Sequence, residues 1–469
     1  MIVTENGANF KHLEKIIFDH VCREGCKLLR KALESWDIEM MAQRDRTVYR
    51  HKGRRATVIK TVMGEVDYER TIYETKNEVG IKSYIYLLDE AMGLSGSGFM
   101  SGLLSEQIVQ ACCANSYRTA ARSVSELTGQ TISHTAAWNI VQTLGERIDF
   151  QEQCEAKLAT AEQGAGKHKT KLLFEEQDGI YLNLQGSSRK KNGPGKEMKL
   201  AIAYDGAIKR GKKRYELTNK VACANFESID DFVKRKEGVI ASVYNTDEIE
   251  MRILGGDGAK WVRRSQTDET VHFQLDQFHR NRAVLQYVSD PQIRKTIFKL
   301  LYSKQTELML TIIEACYISA VEEKEKENYL QLLGYFQNNT DGLVPYYRRG
   351  LELPKPPAGK VYRRLGAMES NVFTIIGNRM KGGRACWSIN GGNNLARLLC
   401  LKFTNRLSDA LQNLTSCILP ERYVEEIPVQ LSAAKVPLRE GKGYNGFKQA
   451  YIPSNMKWLK DLISQRTLF

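Results

Sequence analysis

The hydrophobic positions along the chain change their period several times, and each change marks a different kind of element. From Phe10 to Met41 the apolar residues recur at helical spacing, which predicts one or two amphipathic helices. From Ala56 to Tyr73, β-branched and aromatic residues alternate around a glycine turn, as in a β-hairpin. We therefore predict a helical and β-hairpin region over residues 1–90.

A second region, residues 91–160, has the pattern of a helix-turn-helix unit. Tyr117–Leu127 is predicted as a helix, Gly129 lies in a short turn, and Ser133 is the expected cap of a second helix. The start of the second helix of such a unit faces the major groove of DNA. An ordinary pair of packed helices is the alternative interpretation.

The candidate DNA contacts of this unit are polar side chains on both helices. Four candidates for base contacts lie at the start of the second helix: Ser133, His134, Thr135 and Asn139. Two candidates for phosphate contacts lie on the first helix: Arg118 and Arg122.

A polar, glycine-containing stretch at residues 160–169 predicts a linker into a new domain. Beyond it we predict three strands, a helix, a strand, a helix and a strand. The strands cover residues 171–184, 198–204, 214–223, 250–254 and 272–275, and the first helix covers residues 231–244. This order is typical of the ribonuclease-H-like fold, so the predicted fold class is α/β with a mixed sheet flanked by helices.

The predicted core is divided by an insertion. Its first part covers residues 168–288, and a second part, residues 356–410, returns to the sheet. Between them, residues 289–355 have a helical pattern with many Glu and Lys side chains and predict a helical insertion. Residues 411–469 are a predicted C-terminal extension.

Charge adds a candidate class of partner. Among 469 residues, 69 are Lys or Arg and 55 are Asp or Glu, which gives a formal net charge of +14. The basic residues are spread along the chain, so a polyanion such as nucleic acid is a candidate partner, and a merely soluble basic protein is the alternative interpretation. Two basic clusters are candidates for phosphate contact, or for simple solvation of the surface: Arg50, Arg54 and Arg55, and Arg189, Lys190 and Lys191.

No stretch approaches the ~20 successive apolar residues that cross a bilayer. The first residues carry acidic side chains and lack the apolar core of a secretory signal. We therefore expect no membrane partner and a cytoplasmic protein.

Three acidic residues are candidates for metal-dependent phosphodiester chemistry. Asp178 lies in the first predicted core strand, Asp257 follows the fourth among glycines, and Glu369 lies in a late helix. Mg²⁺ takes hard oxygen ligands, and two ions can stabilise charge on the attacking and leaving oxygens. Strand alternation places Glu176 on the same face as Asp178 and Glu175 on the other, so Glu176 remains a rival first acid.

Several motifs together resemble the bacterial insertion-sequence transposases of the ISLre-two family, which are relatives of the Mutator-like transposases. The motifs cover Asp178–Tyr181, Gly255–Val262, Leu275–Arg280, Met368–Asn371 and Arg379–Ser388. The resemblance covers nearly the whole chain. It implies a ribonuclease-H-like core with a helical insertion between the second and third acids, and a DDE triad.

In that triad, the resemblance assigns Asp178, Asp257 and Glu369 to two Mg²⁺ or Mn²⁺ ions. It also implies that Asp276 and His279 are the Asp-x-x-His signature after the second acid, where a hydrogen-bonded structural pair is the alternative. The expected partners are double-stranded DNA, as element ends and target, and a second copy of the chain on that DNA.

The segment after Glu369 contributes further candidates. Arg379, Lys381 and Arg384 could follow a DNA backbone or form a solvated helix face. Trp387 could stack on an unpaired base or pack into the core. Two other functions also fit the sequence: a ribonuclease-H-like nuclease without strand transfer, and a non-catalytic helix-turn-helix DNA-binding protein.

Overall fold

The computed structural model describes residues 10–76, 80–93, 99–161, 166–212 and 214–415. Its first region is a long helix packed against a small antiparallel sheet. The elements are α1 (Phe10–Gln43), β1 (Arg50–Lys60), β2 (Glu65–Lys76), β3 (Lys82–Ile85) and α2 (Leu87–Ala91), with the strands in the order β1-β2-β3. The predicted hairpin is confirmed, and the helical pattern before it forms one helix.

The next three helices contain the predicted helix pair. They are α3 (Gly102–Ala114), α4 (Tyr117–Thr128) and α5 (His134–Ala161). Gly129 ends α4 in the left-handed region with φ 69°, and the Ser133 hydroxyl accepts a hydrogen bond from the Ala136 backbone N–H at 3.0 Å. The turn and the cap are therefore where the sequence predicts them. Helix α5 continues well beyond the predicted end and packs on two helices of the core, described below as α7 and α15.

The central sheet begins with the strands of the predicted core. In chain order the elements are β4 (Leu172–Asn183), α6 (Gly186–Asn192), β5 (Gly195–Tyr204), β6 (Ala207–Lys209), β7 (Tyr215–Leu217), β8 (Val221–Asn225), α7 (Ile229–Ala241), β9 (Met251–Gly256), α8 (Lys260–Arg263), β10 (Val271–Leu275) and α9 (Gln277–Tyr287). The five-stranded sheet has the order β10-β9-β4-β5-β8. Strands β4, β5 and β8 are antiparallel neighbours, whereas β9 and β10 run parallel to β4. The fold is therefore mixed α/β, with a mixed sheet flanked by helices.

The predicted strand over residues 214–223 is corrected by the structure. It is broken at Asn219, whose φ of 50° interrupts the extended backbone. The part before the break, β7, pairs with β6 as a separate two-stranded hairpin, and the part after it, β8, is fully buried beside β5. Pairing with two different partners explains why one apolar run forms two strands.

The helical insertion and the last helices complete the described chain. They are α10 (Pro291–Ser303), α11 (Thr306–Ser319), α12 (Glu323–Gln337), α13 (Met368–Asn371), a π-helical turn (Val372–Gly377), α14 (Asn378–Met380), α15 (Ile389–Phe403) and α16 (Leu407–Thr415). The predicted insertion and the late helix are both present. Of the predicted C-terminal extension, residues 416–469 lie outside the described residues, as do residues 162–165 of the predicted linker.

Two hydrophobic clusters cover the two faces of the sheet. On β4, Leu172 and Phe174 belong to the cluster that includes α3–α5 and α15, and Leu173 belongs to the cluster that includes α7 and α10–α12. The helix pair therefore shares its core with the sheet and is held rigidly to it. In the part of the chain described here, no helix is both long enough and apolar enough to span a membrane.

Candidate active site

Strand β4 carries acidic side chains on both faces of the sheet. Glu175 lies on the face covered by α7, where its carboxylate pairs with Lys236 and with Arg252. Glu176 and Asp178 lie on the opposite face, as strand alternation predicts. Glu175 is therefore a buried partner of two cations and takes no part in the site on the other face.

Glu176, the rival first acid, is fully occupied by the protein. Its Oε1 accepts a hydrogen bond from the Tyr204 hydroxyl at 2.6 Å, and its Oε2 accepts from the backbone N–H groups of Gly366 at 2.8 Å and Met368 at 3.2 Å. Burial raises the pKa of Glu176, and these hydrogen bonds oppose that rise. Because both oxygens already have donors, Asp178 is the better-placed first acid.

Asp178 is half-buried in a small cavity that several distant segments line. Glu369, Asp276 and His279 border the same cavity. Burial raises the pKa of the Asp178 carboxyl, the negative charges of Asp257 and Asp276 raise it further, and His279 opposes them. A half-buried carboxylate among other carboxylates is an environment in which a cation would be stabilised.

Asp257 follows β9 and is held by contacts to its own loop and to the helical insertion. Its Oδ1 accepts a hydrogen bond from the Ala259 backbone N–H at 2.9 Å. Its backbone oxygen accepts one from the Tyr335 hydroxyl of α12, also at 2.9 Å. The side chain does not border the small cavity, but its charge raises the pKa of Asp178. The insertion therefore contacts the loop that carries the second predicted acid.

The glycines around Asp257 make room for the protein's own side chains. A Cβ atom would overlap a neighbour at three positions: Gly255 against Leu365, Gly256 against Val262, and Gly258 against Asn339. At Gly258 the Cβ would lie 2.4 Å from Asn339 Oδ1, and φ is 85°. The protein's own side chains therefore fill the space beside these glycines.

Asp276 and His279 form a hydrogen-bonded pair, which is the structural alternative given above for this motif. Both residues also border the cavity. Asp276 caps α9 by accepting the backbone N–H groups of Phe278 and His279, and its Oδ1 lies 3.2 Å from His279 Nδ1. Burial alone would raise the pKa of Asp276, but the hydrogen bonds from His279 hold it below its ordinary value. The Asp276 contact raises the pKa of His279, and the charges of Asp178 and Asp257 add to the rise.

Glu369 is exposed on α13 and borders the same cavity as Asp178. Its helix starts at Met368, where the backbone N–H donates to Glu176 of β4. The structure therefore brings the first and third predicted acids to one place. Glu176 therefore links strand β4, which carries Asp178, directly to helix α13, which carries Glu369.

Within the described ranges, no three His, Cys, Asp or Glu side chains converge closely enough to form a finished metal site. The donor chemistry nevertheless fits Mg²⁺ or Mn²⁺, because Asp178, Asp257 and Glu369 supply hard carboxylate oxygens. Burial and like charge raise the pKa of Asp178, which is the effect that a bound cation would reverse. The residues are suitable ligands that still have to approach one another.

Sequence reasoning missed Glu197, a further carboxylate whose pKa is affected by the charges of the candidate acids. It lies on β5, in register with Tyr181 and next to Gly179 of β4. Burial raises the pKa of Glu197, and the charges of Asp257 and Asp178 raise it further. Glu197 lies one residue before the predicted strand over residues 198–204, and the register that sets it opposite Tyr181 is a tertiary property.

Most of the predicted DNA contacts are accessible. The exposed side chains are Arg50, Arg54, Arg55, Arg118, Arg122, Ser133, His134, Thr135, Asn139, Arg189, Lys190, Lys191, Lys381 and Arg384. Of the two basic clusters, the first lies on the edge strand β1 and the second on the short helix α6. Exposure satisfies the first requirement for contact with DNA, and Arg54 also pairs with Glu69 at 3.2 Å.

Two candidate DNA contacts are less accessible: for Trp387 the core alternative holds, and Arg379 is half-buried. Trp387 is buried and donates its indole N–H to the Met380 backbone oxygen at 2.8 Å, so its ring belongs to the core. The guanidinium of Arg379 lies 5.4 Å from the centre of the Trp387 ring, and its Nε donates to the Cys112 backbone oxygen at 2.7 Å. Burial lowers the pKa of Arg379. Both side chains therefore make contacts that hold neighbouring segments together.

Comparison with known proteins places the chain among relatives without an assigned activity. A UPF0236 protein of Caldanaerobacter subterraneus subsp. tengcongensis, whose name joins eleven locus numbers, is 24% identical over 73% of this chain and 69% of its own length. A Streptococcus gallolyticus relative, named as a UPF0236 protein in the vanSb 3' region, is 25% identical over 78% of this chain and 74% of its own length. The model of the uncharacterised protein family UPF0236 matches residues 3–411, and the chain therefore belongs to that family.

Proposed function

We propose that this protein is a DNA transposase that cuts the ends of a mobile element and joins them to a target. One observation carries the proposal: Asp178 and Glu369, from distant parts of the chain, border one cavity together with Asp276 and His279. Asp257 lies close enough for its charge to raise the pKa of Asp178. This is the set of residues that the DDE-type chemistry requires.

The sheet supports a ribonuclease-H-like core. Strands β4, β5 and β8 form an antiparallel unit, a helix follows, and β9 and β10 then add in parallel on the other side of β4. That order and those directions are the ones expected of this fold. The candidate acids lie on β4, after β9 and on a helix that packs beside β4.

In this proposal Asp178, Asp257 and Glu369 hold divalent metal ions. Bound Mg²⁺ or Mn²⁺ would stabilise negative charge on the attacking and leaving oxygens of a phosphodiester. Water cleaves the strand and leaves a 3′-hydroxyl, and that hydroxyl attacks a target phosphodiester and displaces its 3′-oxygen. Asp276 orients His279 next to the acids and favours its protonated form, which can donate to a phosphate oxygen.

The relatives add independent support. One name in the genome of Caldanaerobacter subterraneus subsp. tengcongensis joins eleven locus numbers, and a second name joins four. Repetition of one protein at many loci is the outcome that transposition produces. The net charge of +14, the exposed helix pair and the basic edge strand β1 support binding to double-stranded DNA, and a homo-oligomer is proposed because two element ends have to be processed together.

A strand-transfer assay tests this proposal. The full chain is incubated with Mg²⁺ or Mn²⁺, a labelled pre-cut duplex from the element boundary, and an unlabelled plasmid. We expect the label to become joined to the plasmid, and Asp178→Asn, Asp257→Asn and Glu369→Gln each to reduce joining at least 100-fold while binding to the duplex persists.

The matched control is Glu269→Gln, a carboxylate-to-amide change at an exposed position outside the site. It is expected to behave as the unsubstituted protein. Cleavage without joining would indicate a nuclease, and full activity of Asp257→Asn would refute the assignment of the triad.

A further inference from the structure

A larger cavity lies on the other side of the helix that carries Glu369. Its volume is about 1100 Å³. It is bounded by the β6–β7 hairpin, the segment 360–367, and the turn between α15 and α16. Within α13, Glu369 borders the acidic cavity, whereas Ser370 and Asn371 border this larger one. A single short helix therefore separates the candidate active site from the second cavity.

The lining of this cavity is strongly cationic. Its charged side chains are one carboxylate, Glu216, and six cations: Arg210, Lys220, Lys360, Arg363, Arg364 and Arg406. Two of the cations are neutralised, since Arg210 pairs with Glu216 at 2.6 Å and Lys360 with the buried Asp205. The remaining four have no carboxylate partner among the described residues.

These four cations are held in place by neutral groups. The Lys220 ammonium donates to Asn371 Oδ1 at 3.0 Å, and Arg406 donates to the Ser242 hydroxyl at 3.3 Å. The Arg363 guanidinium lies 3.9 Å from the centre of the Tyr215 ring. Arg364, similarly, lies over an aromatic ring. Such contacts orient a cation without cancelling its charge, so the cavity presents uncompensated positive charge.

We propose that this cavity binds the sugar–phosphate backbone of an unpaired DNA strand on its way to or from the candidate active site. Cationic grooves lined with aromatic side chains are the common means of holding single strands, and Tyr215 and Phe403 supply aromatic surface here. Pockets of roughly 300 to 1,000 Å³ take drug-sized molecules, so this cavity is large enough for a few nucleotides. The inference rests on the proposed function, because DNA cleavage supplies the unpaired strand.

Fluorescence anisotropy with a labelled 20-nucleotide single strand tests the inference. The full chain is used in EDTA, so that binding is measured without cleavage. For the double variant Arg363→Ala, Arg364→Ala we expect about a tenfold weaker Kd and a slope of log Kd against log salt that is smaller by about 1.4, because a single strand loses about 0.7 per phosphate contact.

The matched control is Lys295→Ala, Lys299→Ala, which removes two exposed cations from α10 and is expected to leave Kd within twofold. Equal thermal melting of the two double variants excludes a folding defect. Three outcomes would overturn the inference. The Arg363→Ala, Arg364→Ala variant could bind the single strand unchanged, the control could lose as much affinity, or the affinity could fall for duplex DNA only. Failure of the proposed function is a separate result, namely a protein that binds the single strand through this cavity but neither cleaves nor joins DNA.

Discussion

Glu176 Oε2 lies 2.8 Å from the backbone nitrogen of Gly366. The carboxylate of the central strand β4 thereby caps the segment that begins α13. Asp178 lies two residues along the strand from Glu176, and Glu369 lies in the first turn of α13. The residue that rivals Asp178 in the sequence is therefore the residue that brings Asp178 and Glu369 together.

Replacing Glu176 tests whether its hydrogen bonds hold α13 against β4. Glu176→Ala removes the acceptor for three backbone N–H groups and for the buried Tyr204 hydroxyl, so we expect the free energy of unfolding to fall by about 3 kcal/mol. Glu176→Gln keeps an oxygen toward α13 and should cost about 1 kcal/mol. Chemical denaturation measures both. Glu250→Ala, which breaks only an exposed ion pair, is the control and should change stability by less than about 0.5 kcal/mol. If Glu176→Ala were as stable as the control, Glu176 would not stabilise the contact between β4 and α13.

Tyr335→Phe tests whether the helical insertion positions the second acid. The change removes the hydroxyl that donates to the Asp257 backbone oxygen and leaves the ring in place. We expect a loss of about 1 kcal/mol in stability and about a tenfold slower metal-dependent cleavage, with the Kd for DNA unchanged. Tyr302→Phe, at an exposed ring on α10, is the control. A cleavage rate equal to that of the control would show that the insertion does not act on Asp257.

Asp205→Asn is predicted to destabilise the protein in a pH-dependent way. The buried Asp205 carboxylate accepts hydrogen bonds from Lys360, Thr218 and His168. Burial alone would raise its pKa, but these contacts, led by Lys360, lower it below its ordinary value. A lowered folded-state pKa stabilises the protein above the unfolded pKa of about 3.9, and this contribution is lost as the pH falls through the lower folded value.

We therefore expect Asp205→Asn to lower the free energy of unfolding by about 3 kcal/mol at pH 7, because it leaves the half-buried Lys360 ammonium without its partner. The difference from the unsubstituted protein should shrink below about pH 4. Urea denaturation between pH 3 and pH 7 measures it. A difference that stays constant across this range would contradict the assigned role of the charge.

His279→Gln tests the charge of the histidine next to the acids. The Asp276 contact raises the pKa of His279. A raised folded-state pKa contributes stability that is full below the unfolded pKa of about 6.5 and is lost as the pH rises through the folded value. We expect His279→Gln to cost about 1 kcal/mol at pH 6 and much less at pH 9. The control is His51→Gln on the exposed strand β1. An identical pH profile for both variants would contradict the prediction.

The local chemistry of the chain was sufficient to predict most elements. Hydrophobic periodicity predicted α1, the β1–β2 hairpin and the order of strands in the core, because side-chain direction repeats every 3.6 or 2 residues along a helix or strand. The Gly129 turn and the Ser133 cap were equally visible, since each depends on a few neighbouring residues. The strand over residues 214–223 was not resolved into β7 and β8, because the break at Asn219 depends on which strands pair.

The sequence alone therefore determined most of the secondary structure, the positive charge and the set of candidate acids. Only the tertiary structure showed that both oxygens of Glu176 already accept hydrogen bonds, set Glu197 opposite Tyr181, and placed the Arg379 guanidinium near the buried Trp387 ring. The reason is physical: a carboxylate, a guanidinium or an indole has the same sequence signature in either role. Its role is fixed by burial and by hydrogen-bond partners, which come from segments far away in the chain.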